Sequence, residues 1–336
     1  MSEVGRVGIV GLGHIGGSLA LALRDAGVEV VATSPSASTR ELAAANGVGV
    51  VGSVDALVER SDVVVVAAAL HVLGGVVIQA VDAAARQAQP PTVTDAGSVK
   101  VPVVEQVRKG TDHHSLFVPG HPMAGNEGSG FASAVPHLFS RRTWAVTPAG
   151  DVGLDRWAAV ARVALAVGST VVPVAADEHD DAVALTSHLP YALAALVAGT
   201  VGAEHGLLRS LAAGSYDSLT RVAGGHESLG SAMALRNRAA LVPRLRTLAK
   251  ELETLADRLV EVTDPDDVSR LRDPGRTIHD VFESGFTSKR ADARPAGASR
   301  TETLVRAELL ELGRSGGRVV GVDEAGPDAV TVEVVS

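Results

Sequence analysis

The feature that most constrains the fold is a glycine pattern near the start of the chain. Residues 4–16 read VGRVGIVGLGHIG, and a helix-forming segment, SLALALRDAG, follows them. A strand, a glycine-rich turn and a helix in this order are typical of a dinucleotide-binding βαβ unit. There the glycines permit a tight turn, close approach of a pyrophosphate and close packing of helix on strand. The predicted cofactor-binding loop comprises Gly11, Leu12, Gly13, His14, Ile15 and Gly16.

The end of the next predicted strand bears on which dinucleotide binds. VEVVAT ends in Thr33, followed by Ser34, where an NAD-selective site usually has a carboxylate for the ribose hydroxyls. Arg40 comes soon afterwards, and hydroxyls with an arginine can accept a 2′-phosphate. The sequence therefore favours NADP without excluding NAD, and it predicts cofactor contacts from Thr33, Ser34 and Arg40.

Further alternation of apolar segments and helices predicts a doubly wound parallel sheet of the α/β class. The segment PTVTDAG is expected to be a strand that delivers Asp95 to the cofactor, and Ser98 and Lys100 to the cofactor or substrate, at the carboxyl edge of the sheet. A helix-capping serine with a solvated lysine is the alternative interpretation. The segment GHPMAG then places His121 on what reads as a loop at the same edge.

Helical patterns replace the alternation after residue 172. We predict a Rossmann-type domain over 1–172, an all-helical substrate and dimerisation domain over 173–290, and a linker with a small helix and a hairpin over 291–336. TETLVRAELLELG is expected to be the helix of that last segment, and RVVGV with AVTVEVV its hairpin.

Within the helical part, residues 177–199 are expected to form a long buried helix bent around Pro190, with Ser187 and His188 just before the bend. Core hydrogen bonding explains this polar pair as well as substrate contact does. Arg221 could clamp a carboxylate, although surface arginines are more common. A heptad-like seam is formed by Leu241, Leu245, Leu248, Leu252, Leu255 and Leu259. It favours a homodimer interface, with packing inside its own domain as the alternative.

Composition excludes several classes of function. The 39 acidic and 30 basic residues give a net charge of −9, which argues against nucleic acid as a partner. There are no cysteines, so disulfides and thiolate metal sites are excluded, and no histidine spacing predicts a metal site. The first residues do not resemble a signal peptide, and residues 189–203 are too few for a membrane span. We therefore expect a cytoplasmic protein without a membrane partner.

In combination, the motifs GLGHIGGS, DAGSVK, GHPMAGNEGSG, EHDDAVALTSHLPYALA and LTRVAG closely resemble the prephenate/arogenate dehydrogenase family of tyrosine biosynthesis. The resemblance covers about residues 5–290. It implies a nucleotide domain followed by a helical dimerisation domain. It also implies the oxidative decarboxylation of prephenate to 4-hydroxyphenylpyruvate with hydride transfer to NAD(P)⁺, and arogenate as the alternative substrate.

Carried over by motif, the resemblance makes His121 the catalytic histidine that bonds the ring hydroxyl, with Ser98 assisting at the same oxygen. The residues it implies for substrate binding are Arg221, Ser187, His188, Tyr191 and Glu127. One departure is notable, because Tyr191 stands where SHLPH, common in the family, has a second histidine. This departure leaves the choice between prephenate and arogenate open. The sequence also leaves open whether tyrosine inhibits the protein and what the C-terminal tail does.

Two other functions, those of a β-hydroxyacid dehydrogenase and of a nucleotide sensor, fit the sequence less well. A β-hydroxyacid dehydrogenase would also join a Rossmann domain to a helical one, but such enzymes resemble one another in using an interdomain lysine. This chain has no lysine between Lys109 and Lys250. A nucleotide sensor that has lost its chemistry is disfavoured by the joint presence of Ser98, His121 and Arg221.

Overall fold

The first part of the chain forms the parallel sheet that the glycine pattern predicts. A computed structural model of the protein describes residues 4–125, 128–203, 206–225, 227–261 and 299–335. Six parallel strands lie in the order β3-β2-β1-β4-β5-β6. They are β1 Val7–Val10, β2 Val30–Thr33, β3 Gly49–Val50, β4 Val63–Val66, β5 Thr92–Asp95 and β6 Phe117–Val118. The helices between them are α1 His14–Asp25, α2 Ala37–Ala45, α3 Val54–Val58, α4 Leu73–Ala85 and α5 Val101–Gly110.

Burial explains why the strands of this sheet are so apolar. All four residues of β4 are valines, and all four are buried because both faces of the sheet are covered. The strand order reverses between β1 and β4, which is where doubly wound sheets bind their ligands. The cofactor-binding loop after β1 lies at this point.

A second sheet, which the sequence analysis did not predict, stands beside the first. Its six strands follow the order β10-β12-β11-β9-β8-β7 and are antiparallel except for β8 with β9. They are β7 Gly120–Pro122, β8 Thr143–Val146, β9 Thr170–Pro173, β10 Arg300–Val305, β11 Arg318–Ala325 and β12 Ala329–Val335, with helix α6 Leu154–Ala166. One hydrophobic core contains Ile9 and Leu19 of the first sheet region together with Trp144 and Trp157 of the second.

Two predictions are corrected by this second sheet. His121 is not on a loop but in β7, where it lies opposite Ala145 of β8. The segment TETLV is strand β10 rather than the start of a helix, because it pairs with β12, and helix α13 covers only Arg306–Arg314. The predicted hairpin is present as β11 and β12. The C-terminal segment therefore completes the sheet that contains His121, while the predicted domain limits remain predictions.

Helices make up the described part of the chain between β9 and residue 261. They are α7 Ala176–Val183, α8 Leu189–Ala203, α9 Leu207–Leu211, α10 Gly214–Thr220, α11 Glu227–Arg236 and α12 Arg238–Glu261. A π-helical turn, Ala184–His188, joins α7 to α8 directly before Pro190, where the sequence predicts a bend. A 3₁₀ turn, Arg221–Gly224, packs on α8.

The long helix is more exposed than the sequence analysis expects. Residues Ala176–Val201 form one continuous helix that is long and apolar enough, by length and composition alone, to cross a membrane. The helix is long, as predicted, but the prediction that it is buried is wrong, since Leu196 is 64% exposed in the single chain. The exposure of the leucine seam increases along α12: Leu241 is buried, whereas Leu259 is 55% exposed. These apolar surfaces belong to the same helical part of the chain.

Candidate active site

The glycine loop has the geometry that a dinucleotide requires. Gly11 has a φ of +102°, and a Cβ there would lie 2.4 Å from the Ala67 carbonyl oxygen. A Cβ on Gly16 would lie 1.9 Å from the oxygen of Gly11, so the third glycine lets α1 pack against the loop. At Gly13, by contrast, a Cβ would meet no atom within 4 Å, which leaves open space above the start of the helix.

The start of α1 suits a phosphate for electrostatic reasons as well. Gly13 is the N-cap of α1 and has no side chain to satisfy the first N–H groups, and no acidic residue lies in the first turn. Free N–H groups and the positive end of the helix dipole favour an anion at this position. Leu12 and His14 are buried and Ile15 is half-buried. Because these side chains pack into the protein, their contact with a cofactor would be made by the backbone. These residues fit the pyrophosphate of NAD(P)⁺.

The side chains expected to select the dinucleotide are only partly available. Thr33 is buried and donates its hydroxyl to the carbonyl of Val51, and its contact with a 2′-phosphate stays a prediction. Ser34 is nearly buried, and the guanidinium of Arg40 donates to its carbonyl oxygen. The guanidinium of Arg40, a residue of α2, therefore lies next to the end of β2. No carboxylate occurs between residues 33 and 40.

Asp95 and Lys100 are interior groups rather than ligand contacts. The Nζ of Lys100 lies 2.5 Å from the Asp95 carboxylate and 2.6 Å from the Gly120 carbonyl oxygen, and only 1% of Lys100 is exposed. Asp95 also accepts the N–H groups of Gly97 and Gly120. The predicted cofactor and substrate contacts are corrected, because both charges are used inside the protein. The pair instead fixes the backbone of Gly120, next to His121.

His121 lies at one end of a chain of buried polar side chains. Its Nδ1 is 2.8 Å from Nε2 of His179, and Nδ1 of His179 is 2.8 Å from the carboxylate of Asp180. Asp180 also accepts the N–H groups of Lys100 and Val101 at the start of α5. The helix α7 is thereby tied to the edge of the parallel sheet.

Sequence reasoning missed His179 and Asp180. The segment DEHDDA reads as the polar start of a helix, yet both side chains are only 3% exposed. The spacing of the apolar residues indicates that these two side chains are buried. Val183 follows His179 by four residues, and Ala184 follows Asp180 by four, so all four lie on the buried face of the helix.

Burial keeps the histidines of this site neutral. Burial lowers the pKa of His121 well below its usual range, and the neighbouring His179, Lys100 and His188 lower it further. The pKa of His179 is lowered mainly by burial, although the hydrogen bond that His179 donates to Asp180 acts in the opposite direction, and the pKa of His188 is lowered mainly by burial. A neutral imidazole is the form that can accept a proton.

Among the buried polar atoms that lack a partner within the described residues, two belong to predicted catalytic or substrate-binding residues. They are Oγ of Ser98, on the loop between β5 and α5, and Nε2 of His188, in the π-helical turn. The amide of Asn237 donates to Nδ1 of His188 and to the carbonyl oxygen of Asp180. His188 therefore carries its hydrogen on Nε2. Buried polar atoms are normally satisfied, so these two point to a polar ligand.

The remaining predicted residues lie further along the helical part. Tyr191 is near Gly225 and Gly230, since a Cβ on either glycine would lie 3.2 Å from the tyrosine ring or hydroxyl. Arg221 is exposed at the start of the 3₁₀ turn that packs on α8, and Ser187 is half-buried beside His188. Glu127 lies outside the described residues. The structure brings His121 and His188 together, and Arg221 lies on the 3₁₀ turn after α10.

No group of three or more His, Cys, Asp or Glu side chains within the described ranges could hold a metal ion.

Comparison with known proteins identifies relatives over most of the chain. Residues 19–173 match the family model described as prephenate dehydrogenase, nucleotide-binding domain, and residues 175–272 match prephenate dehydrogenase, dimerization domain. A cyclohexadienyl dehydrogenase of Zymomonas mobilis is 29% identical, over 76% of this chain and 88% of that protein. The Streptomyces niveus protein named "Probable prephenate dehydrogenase NovF" is 31% identical, over 83% of this chain and 75% of that protein.

A solved structure shows the same fold. The prephenate dehydrogenase of A. aeolicus, in complex with hydroxyphenyl propionate and NAD⁺, matches with a TM-score of 0.73 and 23% identity. The match covers 86% of this chain and 99% of that chain.

The open space at Gly13 gives a specific test of the cofactor loop. Gly13→Ala should weaken binding of NAD(P)⁺ by about tenfold or more, because each 1.4 kcal/mol lost is a tenfold change in affinity and a methyl group would occupy the space left for the pyrophosphate. The melting temperature should hardly change, since the new Cβ meets no protein atom. Isothermal titration calorimetry and thermal unfolding measure the two quantities. Gly150→Ala, which also meets no atom, is the control in an exposed turn; equal affinity in both variants would contradict the assignment.

Proposed function

This chain belongs to the prephenate dehydrogenase family, and we propose that it converts prephenate to 4-hydroxyphenylpyruvate and carbon dioxide. It is an NAD(P)⁺-dependent dehydrogenase of tyrosine biosynthesis with a small-molecule substrate. The observation that carries the assignment of the site is a neutral His121 close to His188, whose buried Nε2 lacks a partner within the described residues, as does Ser98 Oγ on the loop after β5. A substrate with a hydroxyl and carboxylates would satisfy both atoms.

In this proposal His121 first accepts a proton and later returns it. A bound NAD(P)⁺ would supply the acceptor for the hydride that leaves the ring carbon bearing the hydroxyl. Nε2 of His121 accepts the hydroxyl proton as that hydride leaves, because the oxygen becomes acidic. Loss of carbon dioxide then sends an electron pair into the ring and makes it aromatic. The phenolic oxygen recovers the proton from His121, so the overall conversion releases no proton.

Other side chains hold the substrate in this proposal. Ser98 Oγ bonds the same ring oxygen as His121, and the N–H of His188 donates to a substrate oxygen. Arg221 and Ser187 bind the substrate carboxylates, since a guanidinium can hold a carboxylate by two hydrogen bonds. The half-buried Tyr191 lies one helical turn beyond His188 and contacts the side chain of the substrate, where it would discriminate prephenate from arogenate.

The substrate assignment is tested by following reduced-nucleotide absorbance with four mixtures. Prephenate and arogenate are each supplied with NAD⁺ and with NADP⁺. We expect turnover of prephenate, and a preference for NADP⁺ because the guanidinium of Arg40 lies next to Ser34, directly after β2, and no carboxylate occurs between residues 33 and 40. Turnover of arogenate alone would make Tyr191 the mark of a changed side-chain pocket. No turnover in any mixture, from folded protein, would favour the nucleotide sensor.

Two single substitutions separate chemistry from substrate binding. His121→Ala should lower kcat by about 10² to 10⁴, the usual effect of losing a general base, with cofactor affinity nearly unchanged. Arg221→Ala should chiefly raise KM, by about tenfold or more, because it removes a charge-assisted hydrogen bond. Steady-state kinetics with saturating cofactor measure both. A loss of kcat below tenfold for His121→Ala, or an unchanged KM for Arg221→Ala, would remove that residue from its role.

We also propose that the chain is a cytoplasmic homodimer formed through its helical part. The matching family model is described as a dimerization domain. Several apolar side chains of this part are exposed in the single chain: Leu196, Leu207, Leu211, Leu252, Leu259 and Val260. Where exposed apolar side chains form one patch, the patch is typical of an interface. A dimer would cover the apolar helix Ala176–Val201 without a membrane.

The dimer is tested by light scattering after gel filtration. Wild-type protein should have twice the mass of the chain, and Leu252→Glu combined with Leu259→Glu should shift it toward the monomer, because the substitutions bury charges. Leu42→Glu is the control, since Leu42 is 42% exposed on α2 of the nucleotide-binding part. A monomeric wild-type protein at micromolar concentration would overturn the proposal.

A further inference from the structure

Hydrogen bonds behind His121 fix which nitrogen of each imidazole carries a hydrogen. The ionised carboxylate of Asp180 can only accept hydrogen bonds. It accepts the N–H of Lys100 at 2.7 Å and of Val101 at 2.8 Å, and Nδ1 of His179 is 2.8 Å away. His179 must therefore carry its hydrogen on Nδ1. In the neutral ring, Nε2 is then an acceptor.

The same reasoning extends to His121. Its Nδ1 lies 2.8 Å from Nε2 of His179, and one of these two atoms must donate. Because Nε2 of His179 has a lone pair, Nδ1 of His121 is the donor. The hydrogen of neutral His121 is thereby confined to Nδ1, and its Nε2 is left as the acceptor. The two rings meet edge to face, with centroids 5.1 Å apart and planes at 72°.

We propose that His179 and Asp180 form a positioning relay that holds His121 in its proton-accepting tautomer and shares the positive charge formed during turnover. This inference rests on the proposed function, in which His121 takes a proton from the substrate hydroxyl. When that proton reaches Nε2 of His121, the bond between Nδ1 and its hydrogen can lengthen toward Nε2 of His179. A complete transfer breaks the first N–H bond and forms the second, and return of the substrate proton reverses both changes.

The surroundings of His121 make such a relay necessary. The charged groups near the two rings are Lys100, Asp95 and Asp180, with neutral His188 on the other side. Lys100 is paired with Asp95, which leaves Asp180 as the anion in contact with a histidine. An imidazolium on His121 would otherwise be buried beside a lysine, which is costly. When part of the positive charge of His121 moves to His179, that charge lies next to the carboxylate of Asp180.

The relay also accounts for contacts that a helix cap alone does not require. Asp180 could hold the start of α5 without His179, yet His179 lies between it and His121. Asn237 fixes His188 separately, so His188 and His121 present opposite functions. His188 offers a donor at Nε2, while His121 offers an acceptor at Nε2. The substrate would meet one of each.

Two substitutions of His179 separate positioning from mere packing. Glutamine can still accept the hydrogen of His121 Nδ1 through its side-chain oxygen, whereas leucine cannot. We expect His179→Leu to lower kcat by about tenfold or more, approaching the loss for removing the base. His179→Gln should recover a clear part of that loss. KM for prephenate and the affinity for NAD(P)H should remain close to wild type in both variants.

Nitrogen-15 NMR of histidine-labelled protein, without substrate, reads the tautomer directly. His121 should carry its hydrogen on Nδ1 in wild-type protein and in His179→Gln, and should become a mixture of tautomers in His179→Leu. Assignment uses the signal lost in His121→Gln. His114→Gln is the matched control, because His114 pairs with Asp151 away from the relay, and it should leave kcat and the His121 signal unchanged.

The outcomes distinguish the relay from the proposed function. Hydrogen on Nε2 of wild-type His121 would overturn the relay even if the enzyme converts prephenate. So would equal kcat values for His179→Leu, His179→Gln and wild type while His121→Ala is inactive. Full activity of His121→Ala would instead overturn the role of His121 itself. Because Asp180→Asn also disturbs α5, it serves only as a second variant, expected to lower kcat by up to about 10⁴, as found when an amide imposes the wrong histidine tautomer in a serine-protease triad.

Discussion

The carboxylate of Asp180 is the interaction on which the site depends. It receives two N–H groups from the start of α5, and it contacts His179 in the same helix. Two parts of the chain that have separate hydrophobic patterns are thereby fixed relative to each other at one buried charge. A buried carboxylate is stable only when several donors satisfy it, so its position tolerates little displacement. The orientation of the rings in front of it follows from that requirement.

A second buried charge supports the same place from the other side. Lys100 and Asp95 together hold both polar backbone groups of Gly120, the residue before His121. The short strand β7 is therefore positioned by an ion pair in addition to its three pairs with β8. Sequence reasoning expected Lys100 and Asp95 to face ligands. Their actual role is to set the backbone from which the histidine projects.

The part of the fold that local patterns determine was predictable from the sequence. Turn geometry and burial determine the glycine loop, the valine-rich β4 and the helices between strands. Both are indicated by residues that are close together in the sequence. The second sheet could not be predicted in the same way, since Val319 of β11 pairs with Val171 of β9. A segment such as GHP does not resemble a strand until its partner is known. His121, Ser98 and His188 were found because their motifs are unusual, whereas His179 and Asp180 resemble an ordinary charged helix start.

Completion of the second sheet has a consequence for the synthesis of the protein. The parallel sheet uses strands between residues 7 and 118, so all of it can form early. The sheet containing His121 needs β11 and β12, and the pairing of β11 with β9 joins residues about 150 positions apart, a separation typical of slow folding steps. A ribosome that stops after α12 would release a chain with an intact nucleotide-binding sheet but only three of the six strands beside it. Truncation at the end of the gene would thus disturb the sheet that carries His121 without removing His121, His179 or Asp180.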